Sequence, residues 1–164
     1  MPWTRRPDIG PVAKAEILLS LNAQLSDAKS KGAVIEYAGQ RPEPGSRGLF
    51  FAPCVVYNPT RDMKVLTEEV LGPIAPVVVV KDDDEAVAAA NDTQFGLGAS
   101  ILSRDTERAE RIALKLEAGI VAINDMVRSD PRLPFGGIKK SGFGRELSHY
   151  GIREFVNIKS VVVR

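Results

Sequence analysis

Residues 75–92, with the sequence APVVVVKDDDEAVAAAND, hold the pattern that decides the fold. The four consecutive valines at 77–80 are typical of a strand that is buried on both faces. The acidic residues after them predict the first turn of a short helix, where the helix dipole stabilises negative charge. A fully buried strand joined directly to a helix predicts one unit of an α/β fold.

The alternation of strands and helices continues on both sides of this stretch. Upstream, the spacing of Ile17, Leu18, Leu21 and Leu25 predicts an amphipathic helix over residues 11–31. The other predicted elements are strands at 33–39, 49–58, 98–103, 120–124 and 160–164, helices at 105–119 and 148–159, and an exposed Pro/Gly-rich loop at 40–48. This order predicts an α/β domain with a largely parallel sheet flanked by helices.

The composition is that of a packed globular protein. The chain has 164 residues, of which 44% are hydrophobic and 26% charged, and its formal net charge is +1. This balance provides no basic excess for nucleic acid, and no apolar run is long enough for a membrane span. The single cysteine, Cys54, excludes an internal disulfide and fits a reducing compartment, and the first residues lack the apolar segment of a signal peptide. We therefore expect a cytoplasmic protein with neither nucleic-acid nor membrane partners.

Residues 132–147, RLPFGGIKKSGFGREL, combine glycines with cations as a phosphate-binding loop does. The motif nevertheless fails, because Gly137 and Gly142 have P-loop separation but Phe143 follows where a lysine is required. A dinucleotide fingerprint fails as well, since its third glycine is absent. The glycines are therefore expected to permit sharp turns and close approach of neighbouring backbone. The cations are expected to face solvent or to form structural ion pairs: Lys139, Lys140 and Arg145.

Seven motifs lie in order along nearly the whole chain: GPVAKAE, FFAPCVV, EEVLGPIAPV, NDTQFGLGASILSRD, LEAGIVAIN, PFGGIKKSGFGRELSHYGIREF and VNIKSVVV. In order and spacing they resemble the C-terminal part of the aldehyde dehydrogenase superfamily. The stretch SDPRLPFGG is most similar to the succinate-semialdehyde dehydrogenase branch. The resemblance implies that residues 1–150 are the C-terminal portion of the catalytic domain and that 151–164 form a helix and strand of the oligomerisation sheet. A homo-oligomer is therefore expected.

The resemblance also implies which chemistry this chain lacks. In the family, a cysteine thiolate attacks the aldehyde, NAD(P)+ accepts hydride, and activated water hydrolyses the resulting thioester. The nucleophilic cysteine, the glutamate base and most of the cofactor domain would lie upstream of Met1, so we expect no catalytic residue in this chain and no activity from it alone. Cys54 stands at a strand end remote from the family's catalytic thiol. The choice between NAD and NADP is set mainly in the missing domain.

Four residues match binding positions of the family, and a fifth, Arg132, lies beside one of them. Glu69 matches the glutamate that binds the ribose next to nicotinamide, and Leu71 stands where an aromatic residue usually lies against the nicotinamide. Ser129 matches a serine that contacts the substrate's distal carboxylate, and the nearby Arg132 has suitable chemistry for the same carboxylate. Phe135 matches the aromatic lining of the aldehyde tunnel. Without the motifs around them, the alternatives are a surface acid for Glu69, a turn serine and a surface arginine for Ser129 and Arg132, and a core residue for Phe135.

Two further residues are expected to be structural. His149, the only histidine, has no cysteine or carboxylate at metal-ligand spacing, so no metal site is expected. Asn124, at the end of a predicted strand, is expected to hold loop backbone.

Three functions remain open from the sequence. The first is a fragment of an aldehyde dehydrogenase acting on a small aldehyde, with succinate semialdehyde as the expected substrate. The second is a non-catalytic assembly module that joins subunits through its terminal strand. The third is a stand-alone domain that binds a ligand beside the PFGG stretch.

Overall fold

The computed structural model describes residues 9–39 and 48–164. The chain divides into two compact units, the first ending at Val79 and the second beginning at Val80. Residues 1–8 and the predicted loop at 40–48, apart from Gly48, lie outside the described residues.

The first unit contains two helices and a three-stranded sheet among its described residues. Its elements are α1 (Ala15–Ser30), β1 (Val34–Tyr37), β2 (Cys54–Tyr57), α2 (Lys64–Thr67) and β3 (Ile74–Val77). The strand order is β1-β2-β3. The β1 and β2 strands are antiparallel, with Val34 opposite Tyr57, whereas β2 and β3 are parallel, with Cys54 opposite Ile74.

The core of the first unit lies between α1 and this sheet. The apolar face of α1 is buried at Leu21, Leu25 and Ala28, which confirms the helical spacing expected from the sequence. The other buried members of the cluster are Cys54, Val56, Met63, Val65 and Ile74. The helix begins at Ala15, four residues later than predicted, because Lys14 is extended. Gly32, at a φ of 87°, lies just beyond its end, as expected of a glycine stop.

The valine run differs from its prediction. The strand β3 ends at Val77, and Val78 and Val79 lie beyond it with 44% and 77% exposure. The strand is also not buried on both faces, since Ile74 is buried but Ala75 is exposed. The physical reason is that, within the described residues, the core cluster with α1 covers the Ile74 face of the sheet and not the other. In addition, β3 is an edge strand with a described neighbour on one side alone.

The second unit is built from short elements. They are α3 (Asp83–Asn91), β4 (Phe95–Gly96), β5 (Gly98–Ile101), α4 (Thr106–Ala113), β6 (Ile120–Ile123), β7 (Ile138–Lys139) and α5 (Ser148–Arg153). The β4 and β7 strands pair antiparallel, and β5 and β6 pair parallel. Both longer helices begin with a capping aspartate: Asp82 accepts the Glu85 N–H at 2.9 Å, and Asp105 accepts the Arg108 N–H at 2.9 Å.

The α/β class predicted from the sequence is confirmed. Among the described strands, two pairs are antiparallel and two are parallel. Two boundaries differ from their predictions. The helix α4 ends at Ala113 rather than Gly119, and α5 ends at Arg153 rather than residue 159. Residues 157–164 form no strand in the part of the chain that is described, and all of them are exposed. A terminal strand needs a hydrogen-bonding neighbour, and no described strand pairs with residues 157–164.

Candidate functional site

The predicted site residues fall in two groups, one in each unit. Glu69 and Leu71 lie in the first unit, in the segment between α2 and β3, which we call the acidic segment (residues 68–72). Ser129, Arg132 and Phe135 lie in the second unit, between β6 and β7. Each group is described by itself.

The two carboxylates of the acidic segment have different surroundings. Glu68 forms an ion pair with Lys64, with 3.6 Å between Oε1 and Nζ. The Glu69 side chain is exposed, and within residues 9–39 and 48–164 its carboxylate has no hydrogen-bond or ion-pair partner. Its backbone, by contrast, is held, because the Glu69 carbonyl accepts a hydrogen bond from Gln24 Nε2 at 3.0 Å. Glu69 therefore presents a free carboxylate on a fixed backbone.

Helix α1 also anchors the chain that leads into the acidic segment. Met63, the N-cap of α2, provides no side-chain cap, and Asp27 of α1 replaces it by accepting the Lys64 N–H at 2.9 Å. Lys31 bridges Asp27 and Asp62, with Nζ–Oδ distances of 3.0 and 3.1 Å. The Lys64 N–H, and then the Lys31 ammonium, lower the pKa of Asp27 below its usual 3.8, so that carboxylate stays charged.

At the other end of the acidic segment, Gly72 packs against Leu21 of α1. A Cβ at Gly72 would overlap the Leu21 side chain, which is 1% exposed. A glycine is therefore needed there for the segment to lie close to the helix. Consequently α1 contacts the acidic segment at Gly72 as well as at Glu69.

The acidic segment has the chemistry that a dinucleotide ribose requires. An ionised carboxylate accepts two hydroxyl donors well, and Glu69 is exposed and unpaired among the described residues. Leu71, two residues on, is 55% exposed, which leaves an apolar side chain available for a flat ring. The residues present thus fit the nicotinamide-ribose end of NAD(P)+.

Cys54 is unsuited to act as a nucleophile. It lies at the start of β2 in the core and is 3% exposed. Burial raises the pKa of its thiol, so the reactive thiolate is disfavoured. The sequence placed Cys54 at a strand end, and it is the first residue of β2.

The glycine-rich loop of the second unit is held by backbone contacts. Phe135 and Glu146 exchange two backbone hydrogen bonds of 2.8 Å, which brings the ends of the loop together. Gly119 and Gly136 touch, since a Cβ on Gly119 would overlap the Gly136 carbonyl. Arg145 donates to the Gly137 carbonyl at 3.0 Å from inside the loop. Gly136 and Gly137 thus serve close approach of neighbouring chain, as the sequence predicted. Gly142 has open space around it and instead permits a sharp turn, at a φ of 140°.

The cations of this loop have structural partners, as expected. Lys139 forms an ion pair with Glu117 at 2.6 Å and donates to the carbonyls of Asn91 and Thr93. Lys140 donates to the Gln94 side chain at 2.5 Å. The interpretation of these lysines as structural rather than phosphate-binding is supported.

Asn124 holds backbone at the end of β6. Its amide accepts from the Ser103 N–H at 2.9 Å and donates to the Ser103 carbonyl at 2.8 Å. Its φ is 54°, a conformation that asparagine tolerates better than most residues. Asn124 thus has the structural role predicted for it, but the backbone that it holds is that of Ser103 and not that of the glycine-rich loop.

The predicted substrate residues differ in exposure, with Ser129 and Arg132 in an exposed turn and Phe135 in the less exposed stretch that leads to β7. Ser129 is exposed, and Phe135 is half-buried. Arg132 is exposed and forms a two-pronged ion pair with Asp130, with distances of 2.9 Å from Nε and 2.6 Å from Nη2. The Arg132 guanidinium holds the pKa of Asp130 well below its usual range. A substrate carboxylate would therefore have to share Arg132 with Asp130.

Three contributing residues were not predicted from the sequence: Gln24, Asp27 and Asp130. Gln24 could have been noticed, because it is a polar residue within the apolar stripe formed by Leu21, Leu25 and Ala28. Asp27 and Asp130 carried no such signal, since surface acids are common on helices and turns.

Within residues 9–39 and 48–164, no cluster of three or more histidine, cysteine or acidic side chains is arranged to hold a metal ion. None of the described helices combines the length and apolar character needed to cross a bilayer.

Comparison with known proteins identifies the family. A sequence model of the aldehyde dehydrogenase family matches residues 1–161. A succinate-semialdehyde dehydrogenase [NADP(+)] of Deinococcus radiodurans is 47% identical over 160 residues, which cover 98% of this chain and 32% of that protein. The chain spans about a third of the length of the curated relatives it matches. The resemblance to the succinate-semialdehyde dehydrogenase branch is thus confirmed.

Solved structures agree with this assignment. A betaine aldehyde dehydrogenase of Staphylococcus aureus in complex with NAD+ is 38% identical, with a TM-score of 0.82 over 90% of this chain and 30% of that one. An aldehyde dehydrogenase of Brucella melitensis biovar abortus is 41% identical, with a TM-score of 0.81 over 90% of this chain and 30% of that one. The fold described above is therefore a part of the fold of these enzymes.

Proposed function

The chain belongs to the aldehyde dehydrogenase family, and from that premise we propose that it is the C-terminal part of an NAD(P)+-dependent succinate-semialdehyde dehydrogenase. The whole enzyme would oxidise the aldehyde to the carboxylic acid. The similarity to a succinate-semialdehyde dehydrogenase [NADP(+)] over 98% of the chain supports both the substrate and the cofactor. A cytoplasmic location is part of the proposal.

The observation that carries the cofactor role is the free carboxylate of Glu69 on a backbone held by Gln24. Glu69 would accept hydrogen bonds from the ribose hydroxyls, and Leu71 would pack beside the nicotinamide ring. When bound, the cofactor supplies the hydride acceptor. This chain would bind and orient that acceptor. It would not supply the nucleophile, since Cys54 is buried and the pKa of its thiol is raised.

Substrate selection is assigned to the turn before β7. Ser129 and Arg132 would bind the carboxylate tail of the semialdehyde, and Phe135 would line the passage for the aldehyde. A hydroxyl and a guanidinium are suitable donors for a carboxylate. The two backbone hydrogen bonds between Phe135 and Glu146 support this proposal, because they hold the Phe135 backbone in place.

We propose the same domain limits that the sequence suggested. Residues 1–150 would be a portion of the catalytic domain, and 151–164 would contribute to an oligomerisation sheet. The partial-domain interpretation is supported by β6, whose apolar sequence IVAI is only half-buried at every position. In an α/β sheet such a strand is normally covered on both faces.

A second function, assembly without catalysis, is favoured by the C-terminal segment. Val161, Val162 and Val163 are 79–88% exposed and form no strand in the described chain. An exposed apolar segment of this kind favours association, in which it could pair as a strand with a neighbouring chain. Light scattering of the 164-residue chain and of a chain ending at Arg153 tests this function. Association that persists in the shortened chain, or a monomer at all concentrations, would contradict it.

The dehydrogenase proposal is tested in a hybrid enzyme. In this hybrid, the chain replaces the matching third of the Deinococcus radiodurans relative, so that the relative provides the remaining parts. We expect NADP+-dependent oxidation of succinate semialdehyde, and we expect Glu69→Gln to raise the KM for NADP+ because a neutral amide accepts ribose hydroxyls less strongly. The matched control is Glu68→Gln, since Glu68 is paired with Lys64. An equal effect of both substitutions would contradict the role of Glu69.

A further inference from the structure

We infer that Gln24 is a positioning residue for the cofactor site, because its buried amide fixes the backbone from which Glu69 presents its carboxylate. The inference rests on the proposed function of Glu69 and adds a residue of α1 to it. Gln24 itself would not touch the cofactor. Its effect would pass through one hydrogen bond to the Glu69 carbonyl.

The burial of Gln24 gives the first reason. Gln24 is 1% exposed and lies on the apolar face of α1 between Leu21 and Leu25. Its Nε2 donates to the Glu69 carbonyl, and the chemistry fixes this orientation because a carbonyl can only accept. Its Oε1 is also buried and has no partner among the described residues. Such a half-satisfied amide is costly, and an apolar side chain would suit this place better for stability alone.

The position of the hydrogen bond gives the second reason. Upstream, the Glu68 N–H bonds to the Lys64 carbonyl at 2.9 Å, and downstream Gly72 packs on Leu21. Between these two anchors, within the described residues, the Gln24 amide makes the sole hydrogen bond that reaches residues 69–71. Removing it would free the peptide unit between Glu69 and Val70 to rotate, and the direction of the Glu69 side chain would change with it.

The hydrogen bond can be tested in the 164-residue chain without cofactor. Gln24→Met keeps the length of the side chain and removes the donor. We expect the NMR order parameter of the Val70 N–H, which shares a peptide unit with the Glu69 carbonyl, to fall from a rigid value of about 0.85. Asn22→Leu is the control, because the Asn22 amide donates within α1 to the Leu18 carbonyl. No change in Val70 on Gln24→Met would overturn the inference.

The functional consequence is tested in the hybrid enzyme. We expect Gln24→Met to raise the KM for NADP+ about fivefold, the effect of losing one ordinary hydrogen bond, with the KM for succinate semialdehyde unchanged. We expect the double variant with Glu69→Gln to be no worse than Glu69→Gln alone, because Gln24 acts through Glu69. A purely structural role would instead lower stability and change both KM values together.

The outcomes separate the inference from the proposed function. If Glu69→Gln raises the KM for NADP+ and Gln24→Met does not, or if their effects add in full, the positioning role is wrong and the function of Glu69 stands. If neither substitution changes that KM, the proposed ribose contact fails and the positioning role fails with it. If the Gln24→Met hybrid does not fold, the Val70 measurement in the 164-residue chain decides the matter.

Discussion

Gly119 and Gly136 lie in contact, with no room for a side chain on Gly119 before the Gly136 carbonyl. This contact joins the start of β6 to the glycine-rich loop that follows Phe135. We predict that Gly119→Ala destabilises the chain by about 1–3 kcal/mol, because backbone rather than a movable side chain must shift. Chemical denaturation of the purified chain measures the change.

The control for this prediction is Gly10→Ala, since a Cβ at Gly10 would meet nothing within 4 Å. Equal stability of the Gly119→Ala variant and the unmodified chain would show that the close contact is not required for the fold.

The pH dependence of stability is expected to change with Asp27. The pKa of Asp27 is lowered in the folded chain, so its contribution is present above the unfolded value of 3.8 and is lost as the pH falls through the folded value. We predict that Asp27→Asn is less stable than the unmodified chain at neutral pH. The two stability curves should converge below about pH 3.8. Urea unfolding between pH 2 and pH 7 tests this.

Asp62→Asn is the matched variant, because Asp62 also contacts Lys31 but does not accept the Lys64 N–H. The pKa of Asp62 is lowered too, first by the Thr60 hydroxyl and then by Lys31, so this variant should show the same sign of pH dependence. It should leave the start of α2 intact. A stability gap for Asp27→Asn that stays constant down to pH 2 would contradict the assignment.

The ion pair between Arg132 and Asp130 gives a prediction about substrate affinity. Asp130→Asn keeps an acceptor for the Arg132 N–H but removes the charge that engages the guanidinium. If Arg132 binds the substrate carboxylate, the hybrid enzyme should show a lower KM for succinate semialdehyde and no change for an uncharged aldehyde of similar length. Steady-state kinetics with both aldehydes measure the difference.

Asp125→Asn is the control for this effect, because Asp125 pairs with Arg128 at 2.9 Å in the same loop. Equal changes in the two variants would indicate a general effect of charge. A KM that does not change in Asp130→Asn would favour the simpler interpretation of Arg132 as a surface arginine.

Cys54 should be unreactive in the folded chain. Its thiol is buried and its pKa is raised, so we predict that a thiol reagent labels it only after denaturant is added. We also predict that Cys54→Ala leaves the turnover of the hybrid enzyme unchanged. Rapid labelling of the native chain would contradict the description of Cys54 as a core residue.

The sequence was informative where local physics decides the structure. Leu21 and Leu25 marked the buried face of α1, because helical spacing acts over a few residues. The sequence offered Asp105 or Thr106 as the opening of α4, and Asp105 is its cap. The valines at 78 and 79 were misjudged, since burial depends on what covers a strand and not on its composition alone. The helix α2 was missed because its cap, Asp27, comes from another helix.

In the candidate site too, the sequence indicated individual residues but not the contacts that hold them. Family motifs pointed to Glu69 and Phe135, but no motif showed that Gln24 holds the first and Glu146 the second. These contacts join residues that are far apart in the chain, so periodicity and local propensity carry no information on them. Arg132 and Asp130 are two residues apart, so their ion pair is a local contact. Its importance depends on the charge of the substrate, which is not a property of this sequence.

The absence of a catalytic nucleophile from this chain is best tested by the spectrophotometric assay of NADP+ reduction with succinate semialdehyde, run on the 164-residue chain and on the hybrid enzyme at equal concentration. The prediction is turnover by the hybrid and none by the folded chain alone. Turnover by the chain alone, abolished by Cys54→Ser, would contradict it, because the nucleophile would then lie within this chain.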